Sequence, residues 1–241
     1  MKVSDIVKDR IDRLESGFVF TYDYFQLGVD KISALKKVLS RMVDSGKLKK
    51  LSKGRFYKAK KSQFGELKPD VYQVVKDLLE KDGKVVGYIT GYSVYSQLGL
   101  TTQIYNTIQI GVNGEKKATK RGMYMIRFMK QPNTITKESI PLLRILDSIR
   151  NIKKISDTTV EKACIRLKAI INDLEKSDQE LLMKLALKYN PATKTLVGAI
   201  IENVNSELDT QILYKTLNSA TSYSFNITEK TLPNKEKWFI K

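Results

Sequence analysis

The chain has 241 residues, 41% of them hydrophobic and 29% charged, enough for two globular domains with real cores. Histidine is absent, which excludes His-based general acid/base chemistry, Ser-His-Asp and Cys-His nucleophile systems and nearly all zinc sites. Carboxylate-only metal sites survive that test, but the expectation is a non-enzyme with no cofactor. The formal net charge of +17 is concentrated: residues 31–61 hold twelve Lys/Arg against Asp44, a net of +11, whereas residues 1–30 sum to −2 and the remaining 180 to +8. Charge this local suggests a polyanion footprint rather than a generally solubilising surface.

Val3, Ile6, Val7, Ile11 and Leu14 recur at helical spacing and predict an amphipathic first helix closed by Ser16-Gly17. Phe18-Val19-Phe20 predicts a short strand. Thr21 caps a brief second helix over residues 22–26, and Gly28 breaks it. Ile32, Leu35, Val38, Leu39, Met42 and Val43 form the stripe of a third helix ended by Ser45-Gly46. Residues 47–51, the turn Ser52-Lys53-Gly54 and residues 55–58 then read as a β-hairpin. Helix, strand, short helix, helix, hairpin is the order of a winged helix-turn-helix, expected over residues 1–62.

The third helix leaves Lys31, Ser33, Lys36, Lys37, Ser40 and Arg41 away from its apolar stripe, and the hairpin adds Lys49, Lys50, Lys53, Arg55 and Lys58. A helix in the major groove needs long donors for phosphates and base edges, and short polar side chains where the backbone comes close. A wing supplies donors for the neighbouring phosphates or minor groove. Any one of these lysines alone is an ordinary solvated group; topology and charge together point to double-stranded DNA. Arg41 and Arg55 are the arginines of the basic segment able to fork onto a guanine edge.

Gly65, Lys68 and Pro69 mark a boundary, and a second domain is expected over residues 69–241, α+β in class like the whole chain. Pro69 suits the first turn of a helix with Val71, Val74, Val75, Leu78 and Leu79 on its apolar face. Residues 85–100 predict an extended piece and a helix from about Tyr92 to Leu98. Residues 104–112 alternate as a strand, Asn113-Gly114 is a turn signal, and residues 123–129 form a further strand. Five helices are expected after residue 137. Pro141 lies in the first turn of one, Ser156 or Asp157 caps the next, Ser177-Asp178-Gln179-Glu180 is a capping box, and Pro191 opens the fourth. From Ser219 the sequence predicts a polar, partly mobile tail with one Trp238.

No motif in this second part carries chemistry. Its glycines form neither GxGxxG nor a P-loop. Tyr88, Tyr92 and Tyr95 fit interlayer packing better than base stacking, and Glu138 and Asp147 read as isolated, solvated acids. Cys164, the lone cysteine, lies in a helical apolar pattern and reads as core packing. No run of eighteen apolar residues occurs and the first residues lack a secretion signal, so a cytoplasmic protein without a membrane partner is expected.

The winged helix followed by Gly87-Tyr88-Ile89-Thr90-Gly91-Tyr92-Ser93-Val94-Tyr95-Ser96-Gln97-Leu98-Gly99-Leu100-Thr101 resembles the AbiE-family antitoxins, type IV transcriptional-regulator antitoxins of bacteria. Ser93–Leu100, Ile104–Val112, Met123–Met129 and Leu142-Leu143-Arg144-Ile145-Leu146-Asp147 match the family's helix, strands and Leu-Leu-Asp helix, and the likeness extends to about residue 205. The resemblance implies an autorepressor that binds inverted repeats through its amino-terminal domain. It further implies a role in phage defence through a carboxy-terminal domain that counteracts a nucleotidyltransferase-like toxin without a stable complex. It offers no catalytic residue. A repressor without a toxin partner, its second domain oligomerising or sensing a ligand, and a carboxylate-metal nuclease are the competing readings; the nuclease lacks a close Asp/Glu cluster in residues 63–241.

Overall fold

The computed structural model describes residues 2–103 and 105–241. In chain order its elements are α1 (Val3–Asp12), β1 (Val19–Phe20), α2 (Ile32–Asp44), β2 (Lys49–Ser52), β3 (Arg55–Tyr57), β4 (Lys60–Ser62), β5 (Gly65–Leu67), α3 (Val71–Leu79), β6 (Glu80–Lys81), β7 (Lys84–Val85), β8 (Gly87–Thr90), α4 (Tyr92–Tyr95), β9 (Thr107–Val112), β10 (Thr119–Arg121), β11 (Tyr124–Lys130), α5 (Ile140–Arg150), α6 (Val160–Asn172), α7 (Lys176–Ala186), α8 (Pro191–Val204) and α9 (Gln211–Tyr214). The fold is α+β: helices with small sheets, then a central sheet, then a helical region. Two compact units are resolved: one runs to Asp77 and takes in Thr119–Met125, and the other comprises Leu78–Ala118 and Ile126–Lys241.

In the first unit Val7, Ile11 and Leu14 pack on Phe20, Phe25, Leu35, Leu39, Leu48 and Phe56 in one buried cluster. β1, β3 and β2 form a sheet in that order, with Val19 opposite Tyr57 and Phe20 opposite Phe56. This strand order is that of a winged helix. The expected second helix is a 3-10 turn over Tyr22–Phe25, ending at Gln26 in the left-handed region. Four residues, three of them aromatic, turn onto Phe18 and Phe20 instead of continuing a helix, and aromatic side chains lose rotamer freedom against a preceding helical turn. Thr21 makes no side-chain cap.

The expected boundary at residues 63–68 is occupied by a hairpin, β4 paired with β5. The helix expected to open a second domain clusters with the first unit through Asp77, and so does the β10 turn, whose Gly122 lies against the carbonyl of Leu51. Sequence order therefore hides the unit's true composition. Among the described residues no helix is long and apolar enough to cross a membrane.

In the second unit β11, β9 and β8 lie side by side, and β8 is antiparallel to β9 with Tyr88 opposite Gly111. Gly111 is required there: a Cβ would fall 2.4 Å from the Tyr88 ring. The helices pack around Leu142, Leu146, Cys164, Leu167, Leu182, Leu196 and Ile200, all buried. Cys164 is core as expected, its thiol pushed up to about 12 by burial. Ile104 lies outside the described residues; the strand there begins at Thr107.

Three sequence expectations need correction. Thr159, not Ser156 or Asp157, caps α6 by accepting from the Lys162 amide at 3.1 Å. The anticipated capping box is inside α7, which starts at Lys176. The tail is packed, not mobile: Phe225, Ile227, Leu232, Trp238 and Ile240 join the core. Trp238 stacks against α8 at Gly198, where a Cβ would stand 2.1 Å from the indole, and its Nε1 donates to Glu202 at 2.8 Å. Asn234 donates to the same carboxylate at 2.9 Å, and Thr231 bonds Glu161 of α6 at 2.8 Å.

Candidate nucleic-acid interface

Leu35 and Leu39 fix the orientation of α2 by filling the first unit's core. That leaves Ser33, Lys36, Lys37 and Ser40, at i, i+3, i+4 and i+7, on one exposed stripe. Arg41 flanks the stripe, Asp44 closes its far end, and Lys31 lies exposed in the 3-10 turn before the helix. Lys50 of β2 and Lys53 of the wing turn are both exposed. Its Gly54 has φ +72 and would place a Cβ 3.4 Å from the Tyr22 ring.

Tyr22 joins the two pieces. The Lys36 ammonium stands 5.6 Å from its ring centroid, and the ring meets Phe56 of β3 edge-on at 5.7 Å. Helix stripe and wing turn thus share one aromatic platform, which holds Lys36 near the Lys53-Gly54 turn by packing and a cation–π contact. Among the described residues Lys31, Lys37, Arg41, Lys50 and Lys53 form no ion pair.

Three expected donors have partners inside the first unit. Lys49 pairs with Glu66 of β5 at 2.8 Å, and that hydrogen bond raises its pKa. Lys58 donates to the carbonyls of Asp12 and Leu14 at 3.3 and 3.2 Å, closing the end of α1. Arg55 bonds Asp77 at 2.8 Å. Arginine alone on β3 gave no sign of this engagement, because its partner lies twenty-two residues away.

Asp77 is the centre of a charged clamp. Its two oxygens also receive the guanidinium of Arg121, which is buried and bonds the Val74 carbonyl at 2.7 Å. The clamp fastens β3, α3 and the β10 turn to one another. Burial raises the Asp77 pKa, but the Arg121 and Arg55 hydrogen bonds and charges outweigh it and hold the carboxyl below its ordinary range. A folded pKa below the unfolded value means the stabilisation is complete above about pH 4 and is lost as pH falls through the folded value. Asp77→Asn is therefore expected to flatten the acid limb of a plot of melting temperature against pH. Near neutral pH it should cost about 1–2 kcal/mol: the half-exposed carboxylate is screened while Arg121 is left buried without a partner. An unaltered acid limb in circular-dichroism melts would remove Asp77 from this role.

The second unit has a polar centre that the sequence reading missed. Asp147, only 1% exposed, accepts from Tyr88 at 2.6 Å, Thr90 at 2.8 Å and Tyr189 at 2.9 Å. Gln131 donates to both tyrosine hydroxyls, at 2.7 and 2.8 Å, and its own oxygen accepts from Asn133. Burial raises the Asp147 pKa against the lowering by these three hydroxyls. Asp147 is thus neither isolated nor solvated, while Glu138 is exposed as expected. Two signals were available: Asp147 falls four residues after Leu143 on the buried stripe of α5, and Tyr88 and Thr90 alternate on one face of β8. Tyr95 is buried, and Tyr92 stacks on Tyr105 at 4.5 Å, so the tyrosines serve packing. Among the described residues no group of three or more Cys, Asp or Glu could hold a metal ion.

Residues 6–182 match the model of a family described as a family of unknown function, DUF6088. No curated protein matches the sequence. Among solved structures, the crystal structure of the RV2827C protein from Mycobacterium tuberculosis is similar, with a TM-score of 0.59 over 92% of this chain and 84% of that chain at 11% identity. At that identity the likeness establishes a common fold.

Proposed function

The chain belongs to the DUF6088 family, and from the residues of its first unit we propose that it binds double-stranded DNA. The observation that carries this reading is the unpaired basic stripe of α2 joined to the wing turn through Tyr22. α2 would enter the major groove with Ser33, Lys36, Lys37, Ser40 and Arg41 toward it, and Lys31, Lys50 and Lys53 would take adjoining phosphates. The core beneath is apolar, and among the described residues the cations of this face form no ion pair; Lys36 alone rests on a ring, that of Tyr22.

On the AbiE resemblance the reading extends to a cytoplasmic, non-enzymatic autorepressor that recognises an inverted repeat upstream of its own gene. In that scheme the second unit counteracts a nucleotidyltransferase-like toxin without a stable complex. The fixed packing around Asp147 and Trp238 would supply the rigid body for that task.

The test is retardation of a duplex carrying the DNA upstream of the chain's own coding sequence. With about five phosphates neutralised per protomer, log K is expected to fall with log salt at a slope of roughly −4 to −5. Absence of retardation at about 50 mM salt, where such contacts are strong, would overturn the DNA reading. Growth rescue on co-expression with the neighbouring gene's toxic product tests the antitoxin extension, and a neighbour without a nucleotidyltransferase fold would leave a plain repressor.

A further inference from the structure

Phe64 is 91% exposed at the tip of the β4–β5 hairpin. A scattered apolar side chain on a surface is ordinary, but this one stands on an element that contributes nothing to the core beneath it. Lys60, Lys61, Glu66 and Leu67 of the hairpin are all exposed, and none joins the buried cluster of the first unit. A bare two-stranded hairpin is marginal by itself, yet this one is closed by specific bonds. Ser62 pairs with Gly65, its hydroxyl donates to the Gly65 carbonyl at 2.9 Å, and it accepts from the Phe64 amide at 3.2 Å. Gly65 supplies the φ of +109 that the two-residue turn requires. The Glu66–Lys49 ion pair at 2.8 Å then fastens the return strand to β2 of the wing.

Charge identifies what such a tip would meet. Glu66, the one acid of the hairpin, is already compensated by Lys49, so Lys60 and Lys61 set the local field. An apolar tip above two exposed lysines of β4 matches a duplex, whose phosphates flank a groove floored by stacked bases. Three residues per strand project the tip roughly 10 Å, and the minor groove is about 7.5 Å deep.

Resting on the DNA-binding reading above, we propose that Phe64 is a wedge that enters between two base pairs from the minor groove, with Lys60 and Lys61 on the flanking phosphates. Insertion of an aromatic ring partly unstacks the step and alters the duplex locally, as apolar wedges do in architectural proteins. The hairpin would then read deformability rather than base edges, complementing α2.

The experiment uses the full chain on closed circular plasmid, relaxed by a topoisomerase with the protein bound, then stripped and resolved by linking number. Wild type is expected to shift the linking number, Phe64→Ala to lose most of that shift at matched occupancy, and Phe64→Leu to retain it. Phe64→Ala is also expected to weaken duplex binding roughly tenfold, the scale of one base–aromatic contact. An equal shift by Phe64→Ala, or no shift by bound wild type, overturns the wedge and leaves the DNA-binding reading intact. Failure of wild type to retain the plasmid at about 50 mM salt overturns both. Self-association without DNA that Phe64→Ala abolishes would assign the tip to a second copy and also overturn the wedge.

Discussion

Asp147→Ala is expected to destabilise the second unit by about 4 kcal/mol, lowering its melting temperature by roughly 10–15 °C. The alanine removes the acceptor for Tyr88, Thr90 and Tyr189 together, and all three side chains are buried. Each unsatisfied buried donor costs about 1–3 kcal/mol, and the sum is less than additive because the three share one acceptor. Asp147→Asn keeps the volume and one acceptor oxygen, so its loss should be nearer 1–2 kcal/mol. A cycle separates network from packing: Asp147→Leu combined with Tyr88→Phe, Thr90→Val and Tyr189→Phe removes the carboxylate and its three donors, but leaves the Gln131 amide without its two hydroxyl acceptors, so it should recover only part of the loss. The measurement is urea and thermal unfolding followed by circular dichroism. A shift of only a few degrees for Asp147→Ala would mean that the carboxylate holds nothing together.

This network also shows what a linear reading could and could not reach. Leu35 and Leu39 of α2, and Leu142 and Leu146 of α5, announce their helices because one buried face repeats every three to four residues. The wing is equally legible, since Lys53-Gly54 sits between two short runs that each bury a core residue, Leu51 and Phe56. Asp147 and Gln131 were not legible as partners, because Tyr88 and Tyr189 reach them across more than forty residues each. The tail failed for a related reason. Phe225, Ile227, Leu232, Trp238 and Ile240 have no period, and their burial depends on Gly198 and Glu202 of α8. Composition made the segment look polar while five of its side chains complete the core.

The candidate interface divides along the same line. Exposure of Ser33, Lys36, Lys37 and Ser40 follows from helix geometry alone once Leu35 and Leu39 are inward. Which cations stay free does not follow from any local rule. Nothing local sets Lys49, Arg55 and Lys58 apart from Lys50 and Lys53, and it is the distant Glu66, Asp77 and Leu14 that engage them.

Lys36→Ala, Lys37→Ala and Arg41→Ala combined are expected to weaken binding to the upstream duplex at least a hundredfold near physiological salt, on the order of tenfold or less per lost phosphate contact. The fold should survive. All three side chains are exposed, alanine is the best helix former, and the Lys36–Tyr22 contact is worth only about 0.5–1 kcal/mol at such a site. The salt slope should become shallower by about 2–3, since each lost phosphate contact retains roughly one more counterion. Net charge alone could weaken binding to a polyanion, so the comparison is Lys188→Ala, Lys215→Ala and Lys230→Ala combined, which removes the same charge from exposed positions of the second unit. That variant should bind within about threefold of wild type, because none of its lysines belongs to the unit that carries α2, and exposed charges that make no phosphate contact are screened by salt. Equal losses in the two triple variants, or an unchanged slope in the α2 variant, would mean that α2 is not the element in the groove.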